Sequence, residues 1–324
     1  MDRRQFCAAM SAVALPIGRA HAADGYPNRP VRVIVPYAAG GGPDVLMRQM
    51  APAIGEALGQ SIVVENRVGA AGVLAAQFVA NAPPDGYTLL MGSSTHLILK
   101  ILQPSLGFDP LKDFAFIGNM STSPSILVVP SESPYKTAEQ LAAAAKAAPG
   151  KFNYGSGGVG TGAHLAGATF STINGLQTVH VPLRGSVEIT ASLLRGDTQF
   201  SFPTAGTAVP QVKGGKLRAL AVTSSKRLAE LPDVPTLQEL TKDPLTVQES
   251  WSGLWAPAKT PAEIIKQIHA AINKALKVPA LQAKAREGGS EVELSASPAA
   301  FASFVQAENG KWAEIIRKGN VVAG

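Results

Sequence analysis

Apolar positions along the chain follow two spacings that alternate with each other. Short runs rich in β-branched residues, such as Val31–Val35, predict buried strands. Between these runs, apolar residues such as Leu46, Met50 and Ile54 recur every four positions and predict amphipathic helices. Further strands are predicted at 62–64, 88–91, 126–129, 152–154, 178–181, 199–202 and 217–222, with helices at 73–80, 137–149, 164–173 and 187–194. Strands separated by helices predict βαβ units and a mainly parallel sheet.

The pattern changes beyond Trp255, where helices replace the strands. One helix is predicted after Thr260 and another after Ser297, and both carry apolar residues on one face. We expect these helices to pack back onto an earlier part of the fold. Two α/β lobes, with a chain that crosses over and returns, fit this order, and so does a single Rossmann-like sheet. Periodicity alone leaves both alternatives open.

Length and composition favour a large globular chain. The 324 residues are 46% hydrophobic and 16% charged, which allows one large domain or two lobes. The formal net charge is +6, but the lysines and arginines are scattered and only 6% of residues are aromatic. Because a nucleic-acid binder needs basic residues clustered on one face, no nucleic-acid partner is predicted. The basic surface is expected to be solvated or to steer anions weakly.

The first 22 residues predict a secretory signal peptide. Arg3 and Arg4 precede a short apolar stretch at 6–17, and Ala20-His21-Ala22 fits a cleavage site. The stretch is too short to span a bilayer, so the sequence predicts export to the periplasm, by the Sec or the twin-arginine route. The only cysteine, Cys7, lies inside this segment. Disulfides, thiolate metal sites and a cysteine nucleophile are therefore not expected after cleavage.

A glycine-rich segment at 155–162 follows one predicted strand and precedes a helix. Backbone N–H groups in such a loop, together with the helix dipole, form a cradle for an anion. No lysine follows as in a P-loop, and no acidic residue lies about 20 positions on, so nucleotide binding is disfavoured. The segment at 40–42 has the same place in the first half of the chain. Two ordinary tight turns remain the alternative.

No catalytic residue, metal site or cofactor is predicted. Ser94 and Ser156 lack the flanking glycines of a nucleophile elbow, and the histidines lack metal-ligand spacing. His164 is interpreted as a residue that supports the glycine-rich loop, although it could act as a base. Arg184 could bind a carboxylate through two hydrogen bonds, or it could be an ordinary surface arginine.

Taken together, several motifs resemble the substrate-binding proteins of tripartite tricarboxylate transporters, often called Bug receptors. The resemblance covers nearly the whole chain after the signal peptide, and the motifs are specific in combination and order rather than singly. The motifs are YPNRP at 26–30, VPYAAGGG at 35–42, VENR at 64–67, PDGYTLL at 84–90, DPLKDF at 109–114, YGSG at 154–157, HVP at 180–182, GKLRALAVT at 215–223 and LPDVPT at 231–236.

The resemblance implies the type II fold of periplasmic binding proteins, with two α/β lobes around a ligand cleft. Lobe 1 would comprise 23–124 and 250–324, and lobe 2 would comprise 125–249. The cleft would capture a small carboxylate or an aromatic acid, partly through ordered water, for uptake by membrane permease subunits or for sensing. The protein is expected to act as a monomer. The site residues expected from the residues and the resemblance are Tyr37, Ala38, Gly40, Gly41, Ser93, Ser94, Ser156, Gly157, Thr161, His164, Arg184, Gly185 and Pro203.

Departures from the family pattern concern the ligand rather than the fold. Ala39 and Pro43 replace residues usual in the first loop, and Leu183 replaces an aromatic residue. Pro203 stands where the family often has Asp. The loss of a cleft carboxylate would disfavour ligands with an ammonium group. An exported α/β enzyme that uses the same cleft, with His164 and Ser94 as base and nucleophile, is the alternative function.

Overall fold

The structure is a computed structural model that describes residues 25–319, 321 and 322. The predicted signal peptide, and with it the choice of export route, lies outside the described residues. The strands are β1 (Val31–Val35), β2 (Ile62–Asn66), β3 (Thr88–Ser93), β4 (Phe114–Pro124), β5 (Ile126–Pro130), β6 (Phe152–Ser156), β7 (Thr178–Pro182), β8 (Phe200–Ser201), β9 (Leu217–Val222), β10 (Glu249–Pro257) and β11 (Glu291–Val292).

Helices separate most of the strands. They are α1 (Gly42–Leu58), α2 (Val73–Ala80), α3 (Ser94–Leu102), α4 (Ala138–Ala147), α5 (Gly162–Asn174), α6 (Ser186–Arg195), α7 (Ala205–Lys213), α8 (Leu237–Thr241), α9 (Ala262–Leu276), α10 (Pro279–Glu287) and α11 (Pro298–Lys318). Short 3₁₀ turns lie at Ala70–Gly72 and Pro244–Thr246.

The described strands form two separate sheets rather than a single Rossmann-like one. The first sheet has the order β11-β4-β10-β3-β1-β2, and the second has the order β7-β6-β8-β5-β9. The two-lobe α/β architecture expected from the sequence is therefore confirmed. We call the halves built on these sheets the first and the second lobe. Their limits at 124/125 and 249/250 stay a prediction.

The expectation of a mainly parallel sheet is wrong. β1 pairs in parallel with β2 and β3, whereas β10 pairs antiparallel with β3 and β4. In the second sheet β6 is parallel to β7 and β8, whereas β5 is antiparallel to β8 and β9. The antiparallel strands include β4, β5 and β10, which lead the chain out of one sheet and into the other. Parallel strands need a long crossover connection, usually a helix, to return to the same sheet. The strands that cross between the lobes do not return in this way, and they pair antiparallel.

Both faces of each sheet are covered. Val33 and Val35 of β1 pack with Met50 on one face, whereas Ile34 packs with Trp255 on the other. The alternation follows from the two-residue period of a strand. β5 repeats the pattern, with Leu127 and Val129 on one face and Ile126 and Val128 on the other. Helices α9 and α11 pack on β4, so the C-terminal helices return to the first lobe as expected.

The two crossings between the lobes are held together by Thr223. Its hydroxyl accepts a hydrogen bond from the N–H of Ser125 at 2.9 Å and donates to the carbonyl oxygen of Gln248 at 2.5 Å. Its N–H donates to the carbonyl oxygen of Ser125, and its own carbonyl accepts from the N–H of Gln248. Thr223 therefore fixes both connecting segments at one point beside the cleft.

Within the part of the chain that the structure describes, no helix is long and apolar enough to cross a membrane.

Candidate ligand-binding site

A cavity of about 110 Å³ lies between the two lobes. Among the described residues that line it, none carries a charged side chain, and many carry a hydroxyl group. They are Tyr37, Ala38, Gly41, Gly42, Pro43, Leu46, Met91, Ser93, Ser94, Thr95, Ser121, Ser123, Gly157, Thr161, Gly162, Ala163, Gly185, Val187, Ile189, Pro203, Thr204, Gly206, Ser250, Trp251, Ser252 and Ser290.

Helix N-termini converge on this cavity from both lobes. Within residues 25–319, the N-cap residues of five helices line it, and each of these helices spans at least nine residues: Gly41 of α1, Ser93 of α3, Thr161 of α5, Gly185 of α6 and Thr204 of α7. The N-terminus of a helix presents free N–H groups and a partial positive charge. Three of these caps, Gly41, Gly185 and Thr204, provide no side-chain hydrogen bond to their helices. An anion in the cavity would meet these N–H groups directly.

The N-termini of α1 and α7 face each other across the cleft. A Cβ atom placed on Gly206 would lie 3.8 Å from the Cα of Gly42, and one placed on Gly42 would lie 3.3 Å from Oγ1 of Thr204. Both helix ends are positive, so their approach is unfavourable unless negative charge lies nearby. The same closeness occurs on the other side of the cavity, where Gly158 lies against Ala71. The lobes are therefore in a closed arrangement.

Hydroxyl groups of the first lobe line one side of the cavity. The Tyr37 hydroxyl lies 3.2 Å from the Ser93 hydroxyl and donates to that of Thr95 at 3.2 Å. Burial raises the pKa of Tyr37 above its ordinary value, although its hydrogen bonds to Ser93 and Thr95 oppose this. The Ser94 hydroxyl is fully buried and has no hydrogen-bond partner in the structure.

The loop at 37–42, which we call the first loop, is held by the buried carboxylate of Asp44. That carboxylate accepts hydrogen bonds from the N–H of Gly40 at 2.9 Å, from Nε of Arg48 at 3.0 Å and from Nδ2 of Asn66 at 2.7 Å. Burial alone would raise the pKa of Asp44, but these hydrogen bonds lower it overall. Nδ2 of Asn66 also donates to the carbonyl oxygen of Tyr37. Gly40 is thus bound to Asp44 and does not line the cavity.

The loop at 156–161, the second loop, is held by uncharged groups. The Ser156 hydroxyl accepts from the N–H of Gly158 at 3.1 Å and lies 2.6 Å from Nε2 of His180. The Thr161 hydroxyl donates to the carbonyl oxygen of Gly158 at 2.8 Å. Gly157 and Thr161 line the cavity, whereas the fully buried Ser156 does not. Ser156 therefore shapes the loop from behind.

Two stacked histidines support the second loop. The rings of His164 and His180 have centroids 4.2 Å apart, and Nδ1 of His164 accepts from the N–H of Gly160 at 3.3 Å. Burial, and the neighbouring His180, lower the pKa of His164 from 6.5 to about 4. Burial also lowers the pKa of His180 to about 4. Both rings are neutral near pH 7, and neither lines the cavity.

These features match a known family. A sequence model described as the tripartite tricarboxylate transporter family receptor matches residues 46–321. The chain belongs to this family. The receptor is 40% identical over 286 residues to a protein from the gbd 5′ region of Cupriavidus necator, with 86% of each chain covered. It is 33% identical over 313 residues to BugT of Bordetella pertussis, with 96% of this chain and 94% of BugT covered. The resemblance to Bug receptors is thus confirmed.

Solved structures agree with the fold of the receptor. An R. palustris protein with adipate is 30% identical, with a TM-score of 0.87, and 92% of this chain and 99% of that chain are covered. MatC of Rhodopseudomonas palustris with bound malate is also 30% identical, with a TM-score of 0.84, and 90% and 100% are covered. Together with the periplasmic binding protein BugD, which is 30% identical with a TM-score of 0.87, these neighbours support the two-lobe binding-protein fold.

The structure brings most of the expected site residues of the receptor to one cavity. Among the described residues, four of the expected site residues do not line this cavity. They are Gly40, Ser156, His164 and Arg184. The side chain of Arg184 is 84% exposed, and its Nε donates to Oε1 of Glu188 at 2.7 Å. Arg184 therefore lies outside the cavity lining, and its contact with a bound carboxylate stays a prediction. Glu188, in the first turn of α6, pairs with the guanidinium of Arg184, which lies just before the helix.

The catalytic alternative gains nothing from this geometry. His164 is buried behind the second loop, and Ser94 lines the cavity without a hydrogen-bond partner. The serine and histidine that do meet, Ser156 and His180, lie behind the loop and outside the cavity lining. Among the described residues, no group of three or more His, Cys, Asp or Glu side chains could hold a metal ion.

A row of serines on β4 and β10 also lines the cavity and was not expected from the sequence. Ser121 pairs with Ser252, and Ser123 pairs with Ser250, in the antiparallel register of these strands. The hydroxyls of Ser121 and Ser252 lie 3.0 Å apart, and all four serines line the cavity. The repeated Ser-x-Ser pattern was a usable signal, because alternate residues of a strand face the same side. The strand β4 itself was not predicted, so the pattern had no structural context.

Proposed function

We propose that this receptor binds a small organic acid through its carboxylate in the cavity between the lobes. The observation that carries the proposal is the convergence of helix N-termini on a cavity without charged side chains. Each helix end offers the equivalent of about half a positive charge. A carboxylate there would be bound by N–H groups and hydroxyls, with no arginine or lysine needed.

The same lining disfavours cationic and zwitterionic ligands. No carboxylate side chain among the described lining residues could receive an ammonium group, and Pro203 occupies the position where the family often has Asp. The relatives with adipate and with malate support an acid as the ligand. Apolar residues such as Leu46, Val187 and Trp251 would contact its carbon skeleton, so that a small aromatic acid stays within the proposed class.

The family supports a proposal for the cellular role. We place the receptor in the periplasm after removal of the signal peptide, as a monomer whose lobes close on the acid by a hinge at Ser125 and Gln248. The closed form would be the one that permease subunits in the membrane receive. A bound anion would favour this form, because it offsets the repulsion between the facing ends of α1 and α7.

The test compares acids with their neutral amides. Thermal unfolding of the mature chain is followed with propionate and propionamide, and with succinate and succinamide, at equal concentrations. An acid at about 100 times its dissociation constant should stabilise the fold by about 2.7 kcal/mol and raise the Tm by several degrees, whereas its amide should not. Equal shifts with acid and amide would refute recognition of the charge. Flat curves with all acids would refute the proposed function.

A further inference from the structure

A second space lies next to the cavity on the other side of Tyr37. It is an interlobe groove of about 410 Å³, lined by Pro36, Tyr37, Val68, Gly69, Ala70, Ala71, Gly72, Val73, Leu99, Gln103, Leu106, Gly157, Gly158, Val159, Pro182, Leu183 and Arg184. Most of these residues are apolar. The one charged side chain among the described lining residues, Arg184, is directed to Glu188. The groove therefore suits an uncharged hydrocarbon segment rather than a second anionic group.

The described residues common to the cavity and the groove are Tyr37 and Gly157. Gly157 has no side chain, so the ring of Tyr37 is the side chain that divides the two spaces. Its position is fixed at both ends. The hydroxyl is bound to Ser93 and Thr95, and the backbone carbonyl accepts from Asn66, which is itself bound to Asp44. The ring therefore cannot swing aside without breaking the hydrogen bonds of its hydroxyl to Ser93 and Thr95.

We infer that Tyr37 sets an upper limit on the length of the acid that the receptor can enclose. The inference rests on the proposed function, because it assumes a carboxylate at the helix ends. The cavity of about 110 Å³ is smaller than the ~150 Å³ cavity that holds benzene in an engineered protein, so it has room for only a small acid. A longer chain would have to cross the position of the ring to reach the groove.

The experiment measures dissociation constants by calorimetry for acetate, propionate, butyrate, hexanoate and octanoate. For the native receptor we expect the affinity to rise to propionate or butyrate and then to fall at least tenfold at hexanoate. In Tyr37→Ala, hexanoate and octanoate should bind at least tenfold more tightly than they bind the native receptor. Each methylene buried in the groove should add about fourfold.

Two further variants separate the ring from the hydroxyl and the groove from the cavity. Tyr37→Phe keeps the ring and loses the hydroxyl, so it should keep the length limit even if its affinity falls. Tyr37→Ala combined with Val159→Trp fills the groove and should abolish the gain for octanoate. Tyr37→Leu replaces Tyr37→Ala if that variant does not fold, as judged by circular dichroism.

Two results would overturn the inference while leaving the proposed function intact. One is equal binding of propionate and octanoate by the native receptor. The other is a folded Tyr37→Ala variant that binds short acids but gains nothing for long ones. If the native receptor binds neither an acid of the series nor succinate, both the inference and the proposed function fail together.

Discussion

The two glycine-rich loops have the same place in their lobes but different supports. Each follows a strand, precedes a helix and places backbone N–H groups at the cavity. The first loop is held by the ionised carboxylate of Asp44, which collects three hydrogen bonds. The second loop is held by the neutral groups of Ser156, Thr161 and His180.

The difference shows that a binding surface built from backbone N–H groups needs rigid support rather than a particular side-chain chemistry. A buried carboxylate provides strong hydrogen bonds but depends on being ionised. Neutral hydroxyl and imidazole groups avoid buried charge but are individually weaker. We therefore expect the two loops to respond differently to mutation and to pH.

The largest effect is expected for Asp44→Ala. The substitution leaves the N–H of Gly40 and the side chains of Arg48 and Asn66 without their acceptor, so the free energy of unfolding should fall by about 3 kcal/mol. Urea denaturation measures this loss. The matched control is Asp197→Ala, which breaks an exposed pair with Arg195 and should cost less than about 1 kcal/mol. Equal losses in both variants would contradict a special role for Asp44.

The next effect is the pH dependence of the second loop. His164 and His180 have a folded pKa of about 4 against an ordinary 6.5, so between these values the unfolded chain binds protons that the folded chain does not. The free energy of unfolding should therefore fall as the pH falls through this window. The pKa of Asp44 is lowered below 3.8, so its contribution is lost only under more acidic conditions.

The double variant His164→Asn/His180→Gln tests this assignment, because it keeps acceptors near the positions of Nδ1 and Nε2 but does not titrate. Its stability should be flatter than that of the native protein between pH 6.5 and 4, as measured by urea denaturation at several pH values. An unchanged slope would mean that the histidines do not account for the pH dependence.

A smaller effect is expected for Ser156→Ala. The substitution removes the acceptor of the Gly158 N–H and the partner of His180, so it should cost about 1.5 kcal/mol of stability. Because Gly157 lines the cavity, affinity for the acid should fall as well. Combined with Thr161→Ala, which also removes a hydroxyl from the cavity, the loss of affinity should exceed tenfold. Unchanged affinity in the double variant would separate the second loop from binding.

The smallest change in stability is expected for Ser94→Ala. Its hydroxyl has no partner within the protein, so the free energy of unfolding should change by less than about 0.5 kcal/mol. If the hydroxyl donates to the ligand carboxylate, affinity should fall about tenfold. Calorimetry and denaturation on the same variant check both statements. A loss of stability without a loss of affinity would indicate that Ser94 has a structural role instead.

Much of the fold was readable from local pattern. Val31–Val35, Val73–Ala80 and Leu217–Val222 have the bounds that the hydrophobic spacing predicts. Each carries its apolar residues in a period that matches one backbone geometry, so no distant contact is needed to identify it. The glycine-rich segments likewise identified both loops, because glycine between a strand and a helix permits a close approach to the backbone.

Other features were decided by tertiary structure. The sequence of β4 mixes small, polar and apolar residues, and only its pairing with β10 makes it a strand and brings four serines to the cavity. The contact between His164 and His180 joins residues 16 positions apart on different elements. Arg184 was assigned to the cavity by position, but a local carboxylate, Glu188, holds it at the surface.

The division has a physical reason. Hydrophobic period, glycine position and turn residues act over a few bonds, so the sequence by itself determined most of the elements and the two loops. The class of fold was expected from the combination of motifs along the chain. Within residues 25–319, the cavity forms where the N-termini of five helices from the two lobes meet. Its size depends on the side chains that lie between these helix ends. Those contacts join residues far apart along the chain, and only the packed structure determines them.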